Sequence, residues 1–514
     1  MSLVYPHPKF VFTRNSLSIS GYNRISTFFK TRFSYLSTCL VRENPYLCPT
    51  INLNRIFLEM NDKERIDTQR LFFGKRKPLS LKYRLQSLKR LQKTIRQYES
   101  DIEKALENDL HKSVYESYTT EIGFVLSELR RTIKHLKQWA APRRTRTPLF
   151  LFGSTSRIEF QAYGNVLILA PWNYPFQLVF TPLIGAVAAG NCVTVKCSPY
   201  AIRTSEICRK IIDEAFDRRH VLWIDTDNKG TDRLLEMKWD YIFYTGGPVY
   251  GRKVAEAAAR HLTPITLELG GKSPCIVHHD AHLASAARRI VWGKFMNCGQ
   301  TCVAPDYLLV HRDIADELID SLRQEIVRQY GKNPQENSDY PRIINEKRFY
   351  ELILLTKQGH IEHGGIYDAD DLYIAPTLIS HITPDMRIMH EEIFGPILPI
   401  LQYTTLDEAI DFINSREKPL ALYYFGNKRK EMKKVLNQTS SGGSCINDVV
   451  SHVANPYLPF GGVGNSGIGH YHGRESFYTF SHTRSVLQNN TKWNPGIKFA
   501  PFDGKLSQIK RLLR

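Results

Sequence analysis

Cysteine is scarce in this chain, and its pattern argues against a disulfide scaffold and a simple zinc site. The 514 residues contain nine cysteines, an odd number spread over a long chain. Secreted disulfide frameworks are short and dense in cysteine. No CxxC pair or Cys/His cluster has the spacing of zinc ligands. We therefore expect mostly reduced, buried thiols and no metal site.

Long hydrophobic runs are also lacking. The longest apolar run, Leu178 to Gly190, contains Thr181 and Pro182 and is shorter than the ~20 residues that a membrane-spanning helix needs. The residues after Lys492 are basic and polar. We therefore expect no transmembrane anchor.

Acidic residues are missing from the start of the chain. Residues 1–42 contain no Asp or Glu but six Lys and Arg among many Ser, Thr and Phe, a bias that fits a mitochondrial transit peptide. Alternatively, Met60 is the true start and residues 1–59 are a mis-called extension, since polar helical sequence follows Met60 directly. The second interpretation is slightly favoured and predicts a cytoplasmic protein, whereas the first predicts a mitochondrial one.

The net charge of +18 suggests nucleic-acid binding at first, but its distribution does not. Residues 1–99 hold 19 Lys and Arg against 6 Asp and Glu, which leaves a net charge of only +5 for the remaining 415 residues. That larger part shows no basic groove with interleaved aromatic residues. We expect no nucleic-acid partner.

The apolar pattern predicts an α/β fold. Between Leu81 and Trp139 the apolar residues recur at helical spacing. Wholly apolar runs follow at Val166–Leu169, Cys192–Lys196 and Tyr241–Tyr244, with helical stretches between them. Strands without polar alternation, separated by helices, indicate a parallel sheet covered on both faces.

Two further regions are predicted around this sheet. Leu149–Phe152 and Arg157–Gln161 are interpreted as a projecting β hairpin, and a second set of α/β elements occupies roughly residues 271–460. We find no internal repeat or low-complexity segment.

Three segments carry residues suited to attack on a carbonyl carbon. Cys302 lies in Phe295–Pro305, and a thiol can attack only as the thiolate, which needs a base or a lowered pKa. Glu268 stands before two glycines that would allow a close approach of ligand to backbone. Asn173 follows an apolar strand and offers an amide to a developing oxyanion. Singly, each residue could serve packing or turns; together they supply nucleophile, base and oxyanion donor.

These segments, with Glu391–Pro396 and Pro459–Gly467, resemble the aldehyde dehydrogenase superfamily over about residues 62–490 and in the family's order. The short spacer before Tyr241 and the sequence Cys298–Tyr307 resemble its class 3 branch, whose members often oxidise fatty or aromatic aldehydes.

The resemblance implies a domain organisation. It implies a Rossmann-type dinucleotide-binding domain over residues 60–270 and an α/β catalytic domain over residues 271–464. Residues 149–161 and 465–490 would form a projecting β oligomerisation sheet, as in dimeric relatives. Residues 491–514 would be a basic C-terminal tail.

The resemblance also implies the reaction. Cys302 adds to the aldehyde to give a thiohemiacetal, whose oxyanion is held by the Asn173 amide and the Cys302 backbone N–H. Hydride passes to the nicotinamide, and water activated by Glu268 hydrolyses the resulting thioester. The thiol of Cys298 is either an oxidant-sensitive neighbour of Cys302 or, with more weight, a packed thiol.

The resemblance implies a set of contacts to NAD or NADP, and this chain departs from the family's pattern at two places. The dinucleotide positions are Lys196, Thr245, Gly246, Gly251 and Leu269, and the nicotinamide positions are Glu392 and Phe394. Gly247 and Pro248 stand where the family usually has Ser-Thr, and Pro199 stands where it often has a ribose-binding Glu. The loss of that carboxylate predicts weaker NAD binding and near-equal use of the two cofactors.

Two other functions stay open at this point. An enzyme that transfers the acyl group to coenzyme A would keep Cys302 but would not need Glu268. A non-catalytic binding or structural protein would explain the altered cofactor loop, although the Cys302, Glu268 and Asn173 set argues against it.

Overall fold

The computed structural model describes residues 60–492 and 496–513. The two interpretations of residues 1–59 lie outside the described residues. Across the described ranges, none of the helices is both long and apolar enough to cross a membrane.

Helices make up much of the described chain, and those between residues 81 and 139 have the predicted amphipathic pattern. The helix Gly123–Trp139 buries Val125, Leu129 and Leu136 on one face. Burial of such side chains contributes about 1.5–3 kcal/mol each. The α-helices are α1 Asp62–Gly74, α2 Leu81–Gln97, α3 Glu99–Leu110, α4 Val114–Ser117, α5 Gly123–Trp139, α6 Gln177–Ala189, α7 Ile202–Ala215, α8 Asn228–Glu236, α9 Pro248–Ala259, α10 Leu283–Phe295, α11 Ala315–Tyr330, α12 Glu346–Thr356, α13 Leu406–Asn414, α14 Arg429–Gln438, α15 Arg474–Thr479 and α16 Leu506–Leu512.

The strands form two large sheets and two small ones. They are β1 Arg143–Thr145, β2 Thr155–Ala162, β3 Asn165–Ala170, β4 Cys192–Cys197, β5 Val221–Trp223, β6 Tyr241–Thr245, β7 Ile265–Glu268, β8 Pro274–Val277, β9 Tyr307–His311, β10 His360–His363, β11 Tyr367–Asp368, β12 Tyr373–Ile374, β13 Thr377–Ser380, β14 Ile397–Tyr403, β15 Ala421–Phe425, β16 Gly443–Ile446, β17 Gly467–Ile468 and β18 Ser481–Gln488.

The first large sheet has the order β17-β7-β6-β3-β4-β5. Its strands β3 to β7 pair in parallel, and only β17 runs antiparallel, beside β7. All six residues of β3 are buried, as expected for a strand covered on both faces. The predicted α/β fold with a parallel, Rossmann-type sheet is confirmed.

The second large sheet has the order β10-β13-β14-β9-β8-β15-β16. All its pairs are parallel except β10 with β13. Because β8, β9, β14 and β15 run in the same direction, the residues before them lie at one edge of the sheet and those after them at the other. Cys302 precedes β9 and therefore belongs to the amino edge.

The small sheet β1-β2-β18 corrects the predicted hairpin. Its second strand includes the predicted Arg157–Gln161, and β18 pairs with it along its whole length. Its first strand is Arg143–Thr145, whereas Leu149–Leu151 forms a 3-10 turn whose three residues are not buried. A wholly apolar run forms a strand where both faces of the sheet are covered, and no residue of Leu149–Phe152 is buried. The assignment of Leu149–Phe152 to a strand was therefore wrong.

The helix that follows β6 begins inside the predicted cofactor loop. Its first residue is Pro248, directly after Gly247. Proline at the first helical position has its φ already set for a helix and loses no hydrogen bond there. Gly251 therefore lies within the first turns of α9.

Candidate active site

The loop that carries Cys302 turns sharply between α10 and β9. Asn297, Cys298 and Gly299 follow one another in the left-handed region, with φ of 51°, 53° and 72°. A Cβ on Gly299 would lie 2.3 Å from the Gly395 carbonyl oxygen. Only glycine permits both the conformation and this close approach.

Gln300 holds the turn in place. Its Nε2 donates to the backbone oxygens of Asn297 and Arg342 at 3.1 and 2.9 Å, and its Oε1 accepts from the Ile344 N–H at 3.0 Å. The side chain is fully buried. Two residues before Cys302, the backbone is thus tied to a distant segment, which makes the position of the thiol well defined.

Asn173 lies directly across from this loop. It is 4% exposed, and its Nδ2 donates to the Gln300 carbonyl at 3.0 Å. The backbone carbonyl of Asn173 accepts a hydrogen bond from Asn297 Nδ2 at 2.7 Å. An asparagine amide has two N–H donors, so one fixes the side chain and the other remains available to a ligand.

Glu268 is the last residue of β7 and is 2% exposed. Neither of its carboxylate oxygens has a hydrogen-bond partner within the described residues. Burial raises the pKa of this carboxyl well above its usual value. The ligand-free protein therefore favours the neutral form of this carboxyl to a higher pH than for an exposed glutamate, and the group can accept a proton once it is ionised.

Burial also raises the pKa of the Cys302 thiol, and the neighbouring Glu392 and Glu268 carboxyls raise it further. Hydrogen bonds from the backbone N–H groups of Cys302 and Val303 oppose the shift. The thiol is therefore protonated in the free protein, so thiolate formation depends on a base or on a change that ligand binding brings.

Two cavities meet at Cys302. A cleft of about 1150 Å³ is lined by Cys302, Glu268 and Asn173 together with residues of β6 and α9. A second pocket of about 500 Å³ reaches Cys302 from the other side. The thiol can therefore contact two different ligands at the same time.

Four of the predicted dinucleotide positions line or shape the cleft. Thr245, Gly246 and Leu269 line it, and the Thr245 hydroxyl is buried without a hydrogen bond within the described residues. A Cβ on Gly246 would lie 2.3 Å from the Tyr244 hydroxyl, and one on Gly251 would lie 2.7 Å from Leu269. The two glycines therefore keep the strand and helix close together at the cleft wall.

Glu392 and Phe394 line the opposite wall. The Glu392 carboxylate lies against Gly270, where a Cβ would be only 1.9 Å from its Oε2. Burial raises the pKa of Glu392 to about 8. Phe394 has a φ of 49° and packs edge-on to Trp172, with ring centroids 5.5 Å apart.

Lys196 and Pro199 follow the neighbouring strand. Lys196 is buried in β4, and desolvation lowers its pKa; it does not line the cleft. Pro199 lines a smaller pocket of about 310 Å³ with Glu206, Arg209 and Asp225. Asp225 is held there by Arg209 at 2.6 Å and by the Trp223 indole N–H at 2.6 Å.

The sequence analysis missed a buried charged group behind Asn173. Lys112 Nζ donates to Glu121 Oε1 at 2.7 Å and to the Asn173 carbonyl at 3.3 Å, and both charged side chains are fully buried. Glu121 Oε2 accepts from the N–H groups of Phe176 and Gln177. Glu121 lies in a π-helical turn, Tyr118–Ile122, a feature common at functional sites. Charged residues on an amphipathic helix give no local sign of such burial.

Comparison with known proteins identifies the family. Residues 65–486 match the model of the aldehyde dehydrogenase family. The chain is 45% identical over 454 residues to 4,4'-diaponeurosporen-aldehyde dehydrogenase of Staphylococcus aureus, covering 88% of this chain and 99% of that protein. It is 45% identical to the dimeric NADP-preferring aldehyde dehydrogenase of Rattus norvegicus, covering 81% and 92%. To aldehyde dehydrogenase family 3 member A2 of Macaca fascicularis it is 43% identical, covering 82% and 87%.

Solved structures give the same result. The substrate-bound state of Staphylococcus aureus AldH superposes with a TM-score of 0.87 at 45% identity, covering 88% of this chain and all of that one. The complex of PnpE with nicotinamide adenine dinucleotide, at 23% identity and a TM-score of 0.76, covers 85% and 91% and shares the fold. The predicted resemblance, including the class 3 branch, is confirmed by these matches. The chain therefore belongs to the aldehyde dehydrogenase family, as an oxidoreductase that oxidises an aldehyde with NAD or NADP.

Proposed function

We propose that this enzyme oxidises a medium-chain, long-chain or aromatic aldehyde to the carboxylic acid through a covalent intermediate on Cys302. The observation that carries the proposal is the meeting of two cavities at that thiol. One cavity suits an extended dinucleotide and the other suits the aldehyde. Medium-chain, long-chain and aromatic aldehydes all combine an apolar chain or ring with one reactive carbonyl group.

The smaller cavity supports the choice of substrate. Its wall is largely apolar and aromatic, and apolar pockets with few polar groups bind apolar ligands. Members of this wall are Phe124, Leu178, Trp292, Met296, Val450 and Phe460. An apolar chain or ring would be removed from water when it packs against this surface. The reactive carbonyl carbon of the bound aldehyde would then lie next to the Cys302 sulfur.

Three residues carry the chemical steps. Ionised Glu268 takes the proton of the Cys302 thiol, and the sulfur adds to the carbonyl carbon. The resulting oxyanion accepts hydrogen bonds from the second Asn173 Nδ2–H and from the Cys302 backbone N–H. One such donor is commonly worth about 3–4 kcal/mol of activation free energy. Glu268, once ionised, accepts a proton from the water that hydrolyses the thioester.

The larger cavity fits NAD or NADP. Bound there, the cofactor supplies the hydride acceptor. Thr245 offers a hydroxyl that has no hydrogen bond within the described part of the chain. Gly246 and Gly251 allow a close approach to the start of α9, and anions bind favourably at a helix N-terminus. Glu392 and Phe394 would hold the nicotinamide end, and Leu269 would contact the dinucleotide from the cleft wall. Lys196, which lies outside the cleft lining, stays a predicted contact to the ribose.

The pocket at Pro199 supports mixed cofactor use. Proline offers neither an acceptor for the ribose hydroxyls nor a charge against a 2′-phosphate. The two carboxylates that line this pocket, Glu206 and Asp225, are both paired already. Asp225 accepts from Arg209 and Trp223, and Glu206 accepts from Arg203 at 3.3 Å. We infer near-equal use of NAD and NADP, with weaker NAD binding than in relatives that keep the glutamate.

A homodimer is proposed from the small sheet. β18 forms the edge of β1-β2-β18 and is mostly exposed over eight residues. An edge strand presents unpaired N–H and C=O groups, which a second copy can cover. A related enzyme of Rattus norvegicus is named dimeric.

Absorbance of the reduced nicotinamide separates the proposal from its alternatives. The purified protein is mixed with NAD or NADP and with aldehydes of increasing chain length or with an aromatic ring, with and without coenzyme A. We expect reduction without coenzyme A and an acid product. Turnover only with coenzyme A would favour acyl transfer, and no turnover with any aldehyde would favour a non-catalytic protein.

A further inference from the structure

A second cluster of polar side chains lies at the carboxyl edge of the seven-stranded sheet, opposite Cys302. His278 follows β8 directly, Tyr403 ends β14, and Tyr424 lies near the end of β15. Open parallel sheets commonly bind ligands outside the carboxyl ends of their strands. The aldehyde and cofactor cavities use the other edge of this sheet, so the cluster has no part in the reaction described above.

Three acceptor atoms converge there. They are a ring nitrogen of His278, one oxygen of Asp280 and one of Glu431, and they lie within 4.8 Å of one another. His278 Nε2 is 3.1 Å from Glu431 Oε2, and the His278 side chain is only 5% exposed. His278 Nε2, Asp280 Oδ1 and Glu431 Oε2 are shielded from solvent and form no hydrogen bond within the described residues.

Tyr403 holds the other side of the His278 ring. His278 Nδ1 is 2.7 Å from the Tyr403 hydroxyl, and that hydroxyl lies 3.5 Å from the Val277 carbonyl oxygen, to which it can donate. In the tautomer with the proton on Nδ1, His278 donates to Tyr403 and keeps a lone pair on Nε2. That lone pair would face two carboxylate oxygens, an arrangement that favours a bound cation.

The carboxylates are held in place by other contacts. Asp280 Oδ2 accepts from the backbone N–H groups of Asn427 and Lys428, each at 3.0 Å, so Oδ1 is left for a ligand. Lys428 Nζ lies 3.7 Å from Glu431 Oε1 and 3.1 Å from His279 Nε2. The lysine thus contacts the other oxygen of Glu431 and leaves Oε2 to the cluster.

We propose that His278, Asp280 and Glu431 bind a divalent transition-metal ion, with Zn²⁺ as the best match. An imidazole nitrogen with two carboxylate oxygens suits Zn²⁺, whereas Ca²⁺ and Mg²⁺ prefer oxygen ligands alone. Water would complete the coordination. The Tyr403–His278 hydrogen bond orients the ligand in the way that outer partners of metal-bound histidines do.

The bound ion would tie the loop after β8 to helix α14. The sequence expectation of no metal site rested on the spacing of Cys and His, and Glu431 comes from a distant part of the chain. Only the folded sheet brings the three side chains together. The expected consequence is structural, namely greater stability of this edge with zinc, and not a change in the chemistry at Cys302.

The test is a zinc titration of chelator-treated full-length protein, measured by calorimetry, with Cys302 alkylated by iodoacetamide to remove thiol binding. The wild-type protein, with Glu431 and Asp280 unchanged, should bind one equivalent of Zn²⁺. Glu431→Gln and Asp280→Asn should each weaken binding at least tenfold and abolish the zinc-dependent rise in Tm. Unalkylated variants should keep wild-type dehydrogenase activity, which shows that they fold.

Glu475→Gln is the matched control. Its side chain has the same 25% exposure as that of Glu431 and also lies beside a histidine, His470, at 3.4 Å, but no third ligand completes that pair within the described residues. This variant should bind zinc as the wild type does. The proposal is overturned if the wild type binds no zinc, if Glu431→Gln and Glu475→Gln bind it equally, or if Ca²⁺ binds more tightly than Zn²⁺.

Discussion

Glu268 has an environment that should be visible in the pH dependence of turnover. Burial raises the pKa of its carboxyl well above the usual value, and the side chain can act as a base only when ionised. The ionised fraction therefore increases with pH over a higher range than for an exposed glutamate, and kcat should increase with it. Glu268→Gln should lower kcat by about 10²–10⁴ and remove this rise, as measured by steady-state kinetics from pH 6 to 9.

Glu392→Gln is the comparison for that experiment, since burial raises the pKa of Glu392 to about 8. It should weaken cofactor binding but retain the rise of kcat with pH. A rise that persists in Glu268→Gln and disappears in Glu392→Gln would assign the base to Glu392 instead.

Pro199 is the residue on which cofactor preference should depend. Pro199→Glu restores an acceptor for the ribose hydroxyls and a charge against a 2′-phosphate. A hydrogen bond to a charged group is worth about 1.5–3 kcal/mol, so the ratio of kcat/KM should move roughly ten- to hundredfold toward NAD. Pro199→Gln adds an acceptor without charge and should produce a smaller shift. A hundredfold preference for NAD in the unmodified enzyme would contradict the inference.

At the scale of elements, the buried Lys112–Glu121 pair joins the π-helical turn to the start of α6. Removal of one partner from a fully buried pair leaves an uncompensated charge and typically costs about 3–5 kcal/mol. Lys112→Met should therefore lower the free energy of unfolding by that amount and also lower kcat, because Lys112 supports the Asn173 carbonyl. Urea unfolding and steady-state kinetics measure the two effects.

A double variant provides the control. Glu121→Gln keeps an acceptor for the Phe176 and Gln177 N–H groups but carries no charge, so Lys112→Met with Glu121→Gln should recover most of the lost stability. Equal stability of Lys112→Met and the wild type would show that the pair does not hold this turn.

Elements with a strong local pattern could be predicted from the sequence, and elements set by distant contacts could not. β3 was predictable because it contains the wholly apolar run Val166–Leu169 and all six of its residues are buried. β1 was missed because Arg143–Thr145 is fully exposed and pairs only through its backbone with β2. Cys302, Glu268 and Asn173 were predicted from motifs and line one cleft, and their catalytic roles stay predictions. Lys112 and Glu121 were missed because they resemble ordinary charged positions on helices. Cys298, expected to be a packed thiol, is fully buried with its Sγ 3.6 Å from the Tyr340 hydroxyl.

At the scale of the whole molecule, the exposed strand β18 should decide the oligomeric state. Leu487 on this strand is 51% exposed. If a second copy covers it, Leu487→Asp places a charge in the interface and should convert the dimer to a monomer in sedimentation experiments. Leu354→Asp, at an α12 leucine with 50% exposure, should remain dimeric. A wild-type protein that sediments as a monomer would refute the proposed dimer.

The whole molecule is organised around one thiol that two cavities share, and Cys302→Ala tests this claim most directly. The measurement is reduced-nicotinamide absorbance with a saturating aldehyde, together with the cofactor Kd from fluorescence titration. The account predicts loss of turnover by at least 10³-fold with a nearly unchanged Kd, because the sulfur forms the covalent intermediate and the cofactor binds through other residues. Turnover within tenfold of the wild type would contradict the mechanism.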